Sequence, residues 1–228
     1  MNLTAQQKRV CEQVINVFET GTIGGKYGAI SIFDDGPNRI RQITYGRSQT
    51  TEYGHLEDLV RMYVEAHGMF SDELRPYIDK IGQVALVEDS QFKQLLRDAG
   101  NNDPTMREVQ DEFFDQKYFK PAMAWAAANA FTLPLSALVI YDSFIHSGGI
   151  LWFLRKRFLE SPPANGGNEK TWINQYVTVR QNWLATHSNT DLHATVYRTQ
   201  CFIREIDRDN WSLNKLPIET QGSKVFGE

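Results

Sequence analysis

The 228 residues carry 24 Lys and Arg against 28 Asp and Glu, a net charge of −4, with 41% apolar and 23% charged positions. That balance, without a basic stripe of interleaved aromatics, points away from nucleic acid, and no window nears the ~18 uninterrupted apolar residues of a membrane span. The chain is long enough for one large domain or two lobes around a cleft, and its start, "MNLTAQQKRVCEQV", lacks the apolar run of a secretory signal.

Residues 4 to 19 read as a helix, with Thr4 as N-cap, Val10, Val14, Val17 and Phe18 on one side, and Gly21 as the C-terminal stop. Residues 27–33, "YGAISIF", and 39–45, "RIRQITY", are rich in β-branched and aromatic types, and "DDGPN" between them has turn chemistry, so a β-hairpin follows. From residue 54 the apolar period becomes helical through Leu56, Leu59, Val60, Tyr63 and Val64, closing at Gly68. Further helices are expected over 71–82, 89–99, 104–129 (Asp103 as N-cap, Pro104 in the first turn), 133–147, 150–160, 169–186 and 190–209. The most apolar of them, "LPLSALVIYDSFIHSGG", is the expected central helix; 160–170 is a loop and 212–228 an irregular tail. There are no internal repeats. The expected class is α+β, mostly α-helical, as a single domain over 1–228 with two lobes and a small antiparallel sheet at the cleft.

Cys11 and Cys201 form no disulfide framework; they read as two buried thiols, with one bridge between them as the alternative. His55, His67, His146, His187 and His193 are scattered without ligand spacing, so no metal and no cofactor is expected.

Glu19 stands where the first helix ends, and Asp34 and Asp35 open the next turn. Glycosidic bond cleavage needs two such carboxyls: one protonated, to protonate the leaving oxygen, and one ionised, to activate water or attack carbon. The C-terminal helix dipole and partial burial both disfavour charge on Glu19, whereas an Asp in a wet turn stays ionised. By itself this pattern is also what an ordinary solvated helix end and an ordinary Asp-Asp-Gly turn look like.

"LTAQQKRVCEQVINVFETGTIGGKYGAISIFDDG", "ITYGR", "YFKPAM", "LVIYDS", "WINQYVTVRQNWL" and "NWSLNKLPI" occur in that order over nearly the whole chain. Together they resemble the family 46 glycoside hydrolases, bacterial chitosanases of the lysozyme-like superfamily. The resemblance implies an inverting mechanism with Glu19 as proton donor, Asp35 as water-activating base with Asp34 as its close substitute, and Thr44 holding the water. An inverting pair stands roughly 6.5–9.5 Å apart. It also implies an Asp–Arg network steadying Glu19. Asp142, in the central apolar helix, needs a partner, and Arg180, Arg198 and Arg204 on later helices are the candidates; a core salt bridge that fixes helix packing is the alternative role. Tyr27, Tyr45 and Tyr53 flank the acids and suit sugar rings. Trp125, Trp152, Trp172, Trp183 and Trp211 lie in helical patterns and read as core.

The chain departs from the family pattern at three places. Where the family has an amine-recognising Asp after the hairpin, "YGHLEDL" places His55; "HSGGILWF" has no acid after the central helix; and "DDGPNRIRQIT" lengthens the turn, adding Arg39 and Arg41. Loss of acids and gain of bases at the substrate suits an acetylated or anionic polymer, so peptidoglycan, cut as by a muramidase, is the expected substrate. Chitosan is the alternative, with Glu52, Glu57 and Asp58 as shifted ammonium contacts, and a non-catalytic glycan-binding module is a third reading. A cell-wall substrate further implies secretion or delivery to the periplasm, as an antibacterial toxin within a larger secreted protein or as a target of an immunity or inhibitor protein.

Overall fold

The computed structural model describes residues 1–47 and 49–228. They form two compact units, one of Met1–Ile23 with Gln116–Glu228 and the other of Gly24–Asp115. Helix α1 (Ala5–Thr20) starts on the expected Thr4 cap, completed by a capping box: the Thr4 hydroxyl accepts from Gln7 N at 3.2 Å, and the Gln7 side chain accepts from Thr4 N at 2.9 Å. It stops at Gly21, whose φ of 71° is the left-handed region that glycine enters without strain. Val10, Val14, Val17 and Phe18 are buried along it.

The second unit opens with a three-stranded antiparallel sheet, β1 (Ile30–Phe33), β2 (Gln42–Tyr45) and β3 (Thr50–Thr51), in which Phe33 pairs with Gln42 and Ser31 with Thr44. Side chains alternate along β2, so Ile43 and Tyr45 enter the core while Gln42 and Thr44 take the other face. The core is filled by Leu56, Leu59, Val60 and Tyr63 of α2 (Leu56–Glu65), and by Phe92, Leu96, Met106 and Phe113 from the helices that follow it. Over 71–82 the expected helix shrinks to α3 (Ser71–Leu74) and one 3₁₀ turn (Arg75–Tyr77), because Pro76 has no N–H to continue the ladder. Helices α4 (Ser90–Asn102) and α5 (Pro104–Phe114) meet at Asp103, whose carboxylate caps α5 through Thr105 N at 2.9 Å and accepts from the Tyr63 hydroxyl at 2.5 Å.

The long helix expected over 104–129 is interrupted by a π-helical segment, Asp115–Phe119, before α6 (Lys120–Ala128). Pro121 clashes with the regular i−4 ladder there, and widening the turn relieves it. In the first unit α7 (Pro134–Ser147) is buried from Leu135 through Ser143, as a central helix must be. Only α8 (Trp152–Arg155) forms within 150–160. Its Trp152 is 67% exposed, which corrects the core reading for that residue; Trp172 and Trp211 are buried as expected. Asn168 caps α9 (Glu169–Thr186), and a 3₁₀ turn (Thr190–Thr195) precedes α10 (Tyr197–Asp207). The tail is a hairpin rather than irregular: β4 (Ile218–Thr220) and β5 (Ser223–Val225) bury Ile218 and Val225. Cys11 and Cys201 are buried free thiols, so no bridge joins them, and burial pushes Cys201 up to about 12.

Candidate active site

In the first unit, the last turn of α1 presents Glu19, whose side chain is 12% exposed. Its Oε1 accepts from Arg198 Nη2 at 2.6 Å, and its Oε2 carries no hydrogen bond among the described residues. Arg198, in the first turn of α10, spends its other terminal nitrogen on Asp142 Oδ1 at 2.7 Å, and Arg180 of α9 reaches Asp142 Oδ2 at 2.6 Å. Four elements thus converge on one charge network: acid, base, acid, base. Ser143 and Tyr176 complete it, with Tyr176 donating to Ser143 Oγ at 2.9 Å and Arg180 Nη1 lying 3.3 Å from the same oxygen. The guanidinium of Arg198 also lies over the Phe18 ring at 5.2 Å.

Burial works against the charge on Asp142 and on Arg198. For Asp142 it raises the pKa, but the two guanidiniums outweigh it and hold the carboxyl below its ordinary value. For Arg198 burial opposes the charge, and Asp142 and Glu19 together raise its pKa instead. Arg204, the third candidate, is not in the network: it is exposed and donates to Glu219 O at 2.9 Å, because its place on α10 faces β4.

His146 lies one turn beyond Asp142 on α7, and burial, reinforced by Arg198 and Arg180, lowers its pKa to about 4. Its unfolded pKa is near 6.5, so between about pH 4 and 6.5 the unfolded chain binds a proton that the folded chain refuses. Stability therefore falls as pH drops through that window, by about 3 kcal/mol in all. Urea denaturation at pH 7, 5.5 and 4 should show this loss, and His146→Gln should flatten it; an unchanged slope in the variant would rule His146 out as its source.

In the second unit, the β1–β2 turn is closed by Gly36 N to Ile40 O at 3.0 Å, and a Cβ on Gly36 would sit 2.6 Å from that same oxygen. Only glycine fits. Asp35 Oδ1 accepts from Gln42 Nε2 at 2.8 Å, and Gln42 Oε1 accepts from Tyr53 N at 3.2 Å. Asp34 projects with its side chain 75% exposed, 3.9 Å from Arg41 Nε, and Arg41 Nη1 pairs with Glu88 at 3.1 Å. Arg39 is exposed, with φ 61°. Thr44 is 4% exposed and its hydroxyl has no partner among the described residues.

The tyrosines divide. Tyr45 has no face for a sugar: it is wholly buried, donating to Leu96 O at 2.6 Å, which corrects the expectation drawn from its neighbourhood. Strand alternation carries the signal, since a hairpin one face of which is core must bury every second residue. Tyr27 donates to Asp111 at 2.8 Å, a carboxylate that also pairs with Arg47. Tyr53 is half-buried beside Gly36. His55 Nδ1 stands 3.2 Å from Asp58 Oδ2, so a carboxylate backs the imidazole. Glu52 cannot meet an ammonium group, because it is 2% exposed and clips two backbone amides, Ile43 N at 3.0 Å and Leu86 N at 2.7 Å. Glu57 is paired with Arg61 at 2.7 Å. Gln42 is the residue that reading for acids and aromatics overlooks.

The Glycosyl hydrolase family 46 pattern matches residues 13–218. A chitosanase of Bacillus subtilis (strain 168) is 29% identical over 240 residues, 97% of this chain and 84% of that protein. The GH46 chitosanase of Gynuella sunshinyii, in complex with chitotetraose, superposes with a TM-score of 0.82 at 26% identity, covering 98% of each chain. A mutant chitosanase of Bacillus subtilis MY002, complexed with 6 GlcN, gives 0.79 at 26% identity over 98% of this chain and 100% of that one.

Proposed function

The chain belongs to glycosyl hydrolase family 46, a glycoside hydrolase with a lysozyme-like fold, and on that premise we propose that it hydrolyses the β-1,4 bonds of chitosan by an inverting route. Glu19 is the proton donor and Asp35 the base that activates water, with Thr44 binding that water. The observation that carries this reading is the tether on Glu19. A Glu that merely ended a helix would be solvated, whereas this one is held at 2.6 Å by an arginine that Asp142 fixes in turn. Arg198 arrives with part of its charge already matched by Asp142, engages Oε1, and leaves Oε2 for the glycosidic oxygen.

Chitosan, the alternative of the sequence argument, fits the relatives better than peptidoglycan, and nothing among them supports a cell-wall substrate, an antibacterial toxin or a bound inhibitor. The structure weakens the argument that favoured peptidoglycan. Of the two arginines gained in the turn, Arg41 is matched by Glu88 and Asp34, and beside His55, where the family's acid is missing, Asp58 supplies a carboxylate at 3.2 Å. Incubation with highly deacetylated chitosan and, separately, with sacculi is the test: reducing ends should appear from chitosan and not from sacculi. Release from sacculi alone would overturn the substrate, and tight oligosaccharide binding without hydrolysis would leave a binding module.

A further inference from the structure

The longer turn that sets this chain apart carries a device of its own. Gln42, the first residue of β2, is 5% exposed and bridges two partners, Tyr53 N on one side and Asp35 Oδ1 on the other. Its orientation is dictated. A backbone N–H can only donate, so the atom facing Tyr53 must be the amide oxygen, and Nε2 is then forced toward Asp35. A turn carboxylate ordinarily samples several rotamers; this one has a donor fixed behind it at 2.8 Å.

Gln42 and Thr44 share one face of β2, opposite the core residues Ile43 and Tyr45, so the group that holds Asp35 stands on the same strand face as the unpartnered Thr44 hydroxyl. Asp35 Oδ2 carries no hydrogen bond among the described residues and is left for chemistry. Asp34 has no such support. Its nearest ionic partner is Arg41 Nε at 3.9 Å, and that guanidinium is shared with Glu88.

We propose that Gln42 is the positioning residue of the catalytic base, holding Asp35 by Oδ1 so that Oδ2 and the Thr44 hydroxyl address one water, and that Asp34 is not the base. This rests on the reading of Asp35 as the water activator. The positioning acts on turnover rather than on substrate affinity, because Gln42 touches the base and not the sugar.

Gln42→Glu separates the two halves of the amide: it keeps an oxygen for Tyr53 N–H and the same length, but has no N–H for Asp35. On chitosan its kcat should fall about 10- to 100-fold with KM within about twofold and Tm retained. Gln42→Met, neutral and equally without a donor, should fall likewise, which separates loss of the donor from added charge. In an Asp35→Asn background, Gln42→Glu should lower the residual rate no further. Wild-type kcat in both Gln42 variants alongside a crippled Asp35→Asn enzyme overturns the positioning role alone, as does an equal further loss in the double variant. An Asp35→Asn enzyme of undiminished activity instead overturns the reading of the base beneath it, and a crippled Asp34→Asn enzyme in that case returns the role to Asp34.

Discussion

Asp142→Asn should cost about 3–5 kcal/mol of stability, the largest loss expected of any single polar replacement in the first unit. The side chain has no exposed surface and accepts from Arg180 and Arg198, themselves 0% and 5% exposed. Asparagine keeps the shape but removes the charge, leaving Arg198 with Glu19 and Arg180 with no acid among the described residues. Asparagine keeps one oxygen acceptor, and Ser143 Oγ, 3.3 Å from Arg180 Nη1, already accepts from Tyr176. Nε and Nη2 of Arg180 and Nε of Arg198 already lack a protein partner among the described residues, so the donor left facing the amide's NH2, which cannot accept it, would add to those. The contrast is with the half-buried pair Lys8 and Glu12 at 3.7 Å, where an i,i+4 contact along one helix contributes only about 0.3–0.5 kcal/mol. Urea unfolding of the two variants, Asp142→Asn and Glu12→Gln, measures both on one scale. A loss below about 1 kcal/mol for Asp142→Asn would mean that the pair is solvated and that Arg198 is not fixed by it.

Fold and site were legible in the sequence to different depths, for physical reasons. Helix α1 was readable to within a residue because its cap, its apolar stripe and its terminal glycine are all local signals. The position of Glu19 followed from that. The breaks at Pro76 and Pro121 carried a local signal too, but an apolar helical period ran across each and masked it. The terminal hairpin left almost no pattern, since β4 and β5 are three residues each and their buried positions are Ile218, the polar Thr220 and Val225. Among the site residues, Asp142 announced itself by standing charged in an apolar helix, and two of three candidate arginines reach it. Arg204 does not, because whether a residue of α10 faces α9 or β4 depends on packing that spacing alone leaves open. Tyr45 was misassigned by proximity in sequence: being next to Thr44 on a strand puts it on the opposite face. Gln42 escaped for the converse reason. Its link to Asp35 spans the whole turn, and nothing in the residue type marks a glutamine as the partner of a base.

The charges that favoured an anionic substrate were legible only in part, for the same reason. Counting Arg41 as a gained base and His55 as a lost acid treats each side chain as alone, whereas Glu88 and Asp58 stand beside them in the folded unit. Charge at a site is a property of the neighbourhood, and the sequence lists only its members.

Glu19→Gln bears most directly on the proposed chemistry. Glutamine retains Oε1 as an acceptor for Arg198 Nη2, so the bond now at 2.6 Å, the Arg198–Asp142 pair and the fold should persist. What is lost is the acidic proton, and general acid catalysis of this kind is worth about 10²–10⁴ in rate. The decisive measurement is the release of reducing ends from highly deacetylated chitosan by wild-type and Glu19→Gln protein, with Tm recorded for both. A rate lower by about 10²–10⁴ at an unchanged Tm is the predicted result; a variant that still turns over chitosan at the wild-type rate would contradict Glu19 as the proton donor.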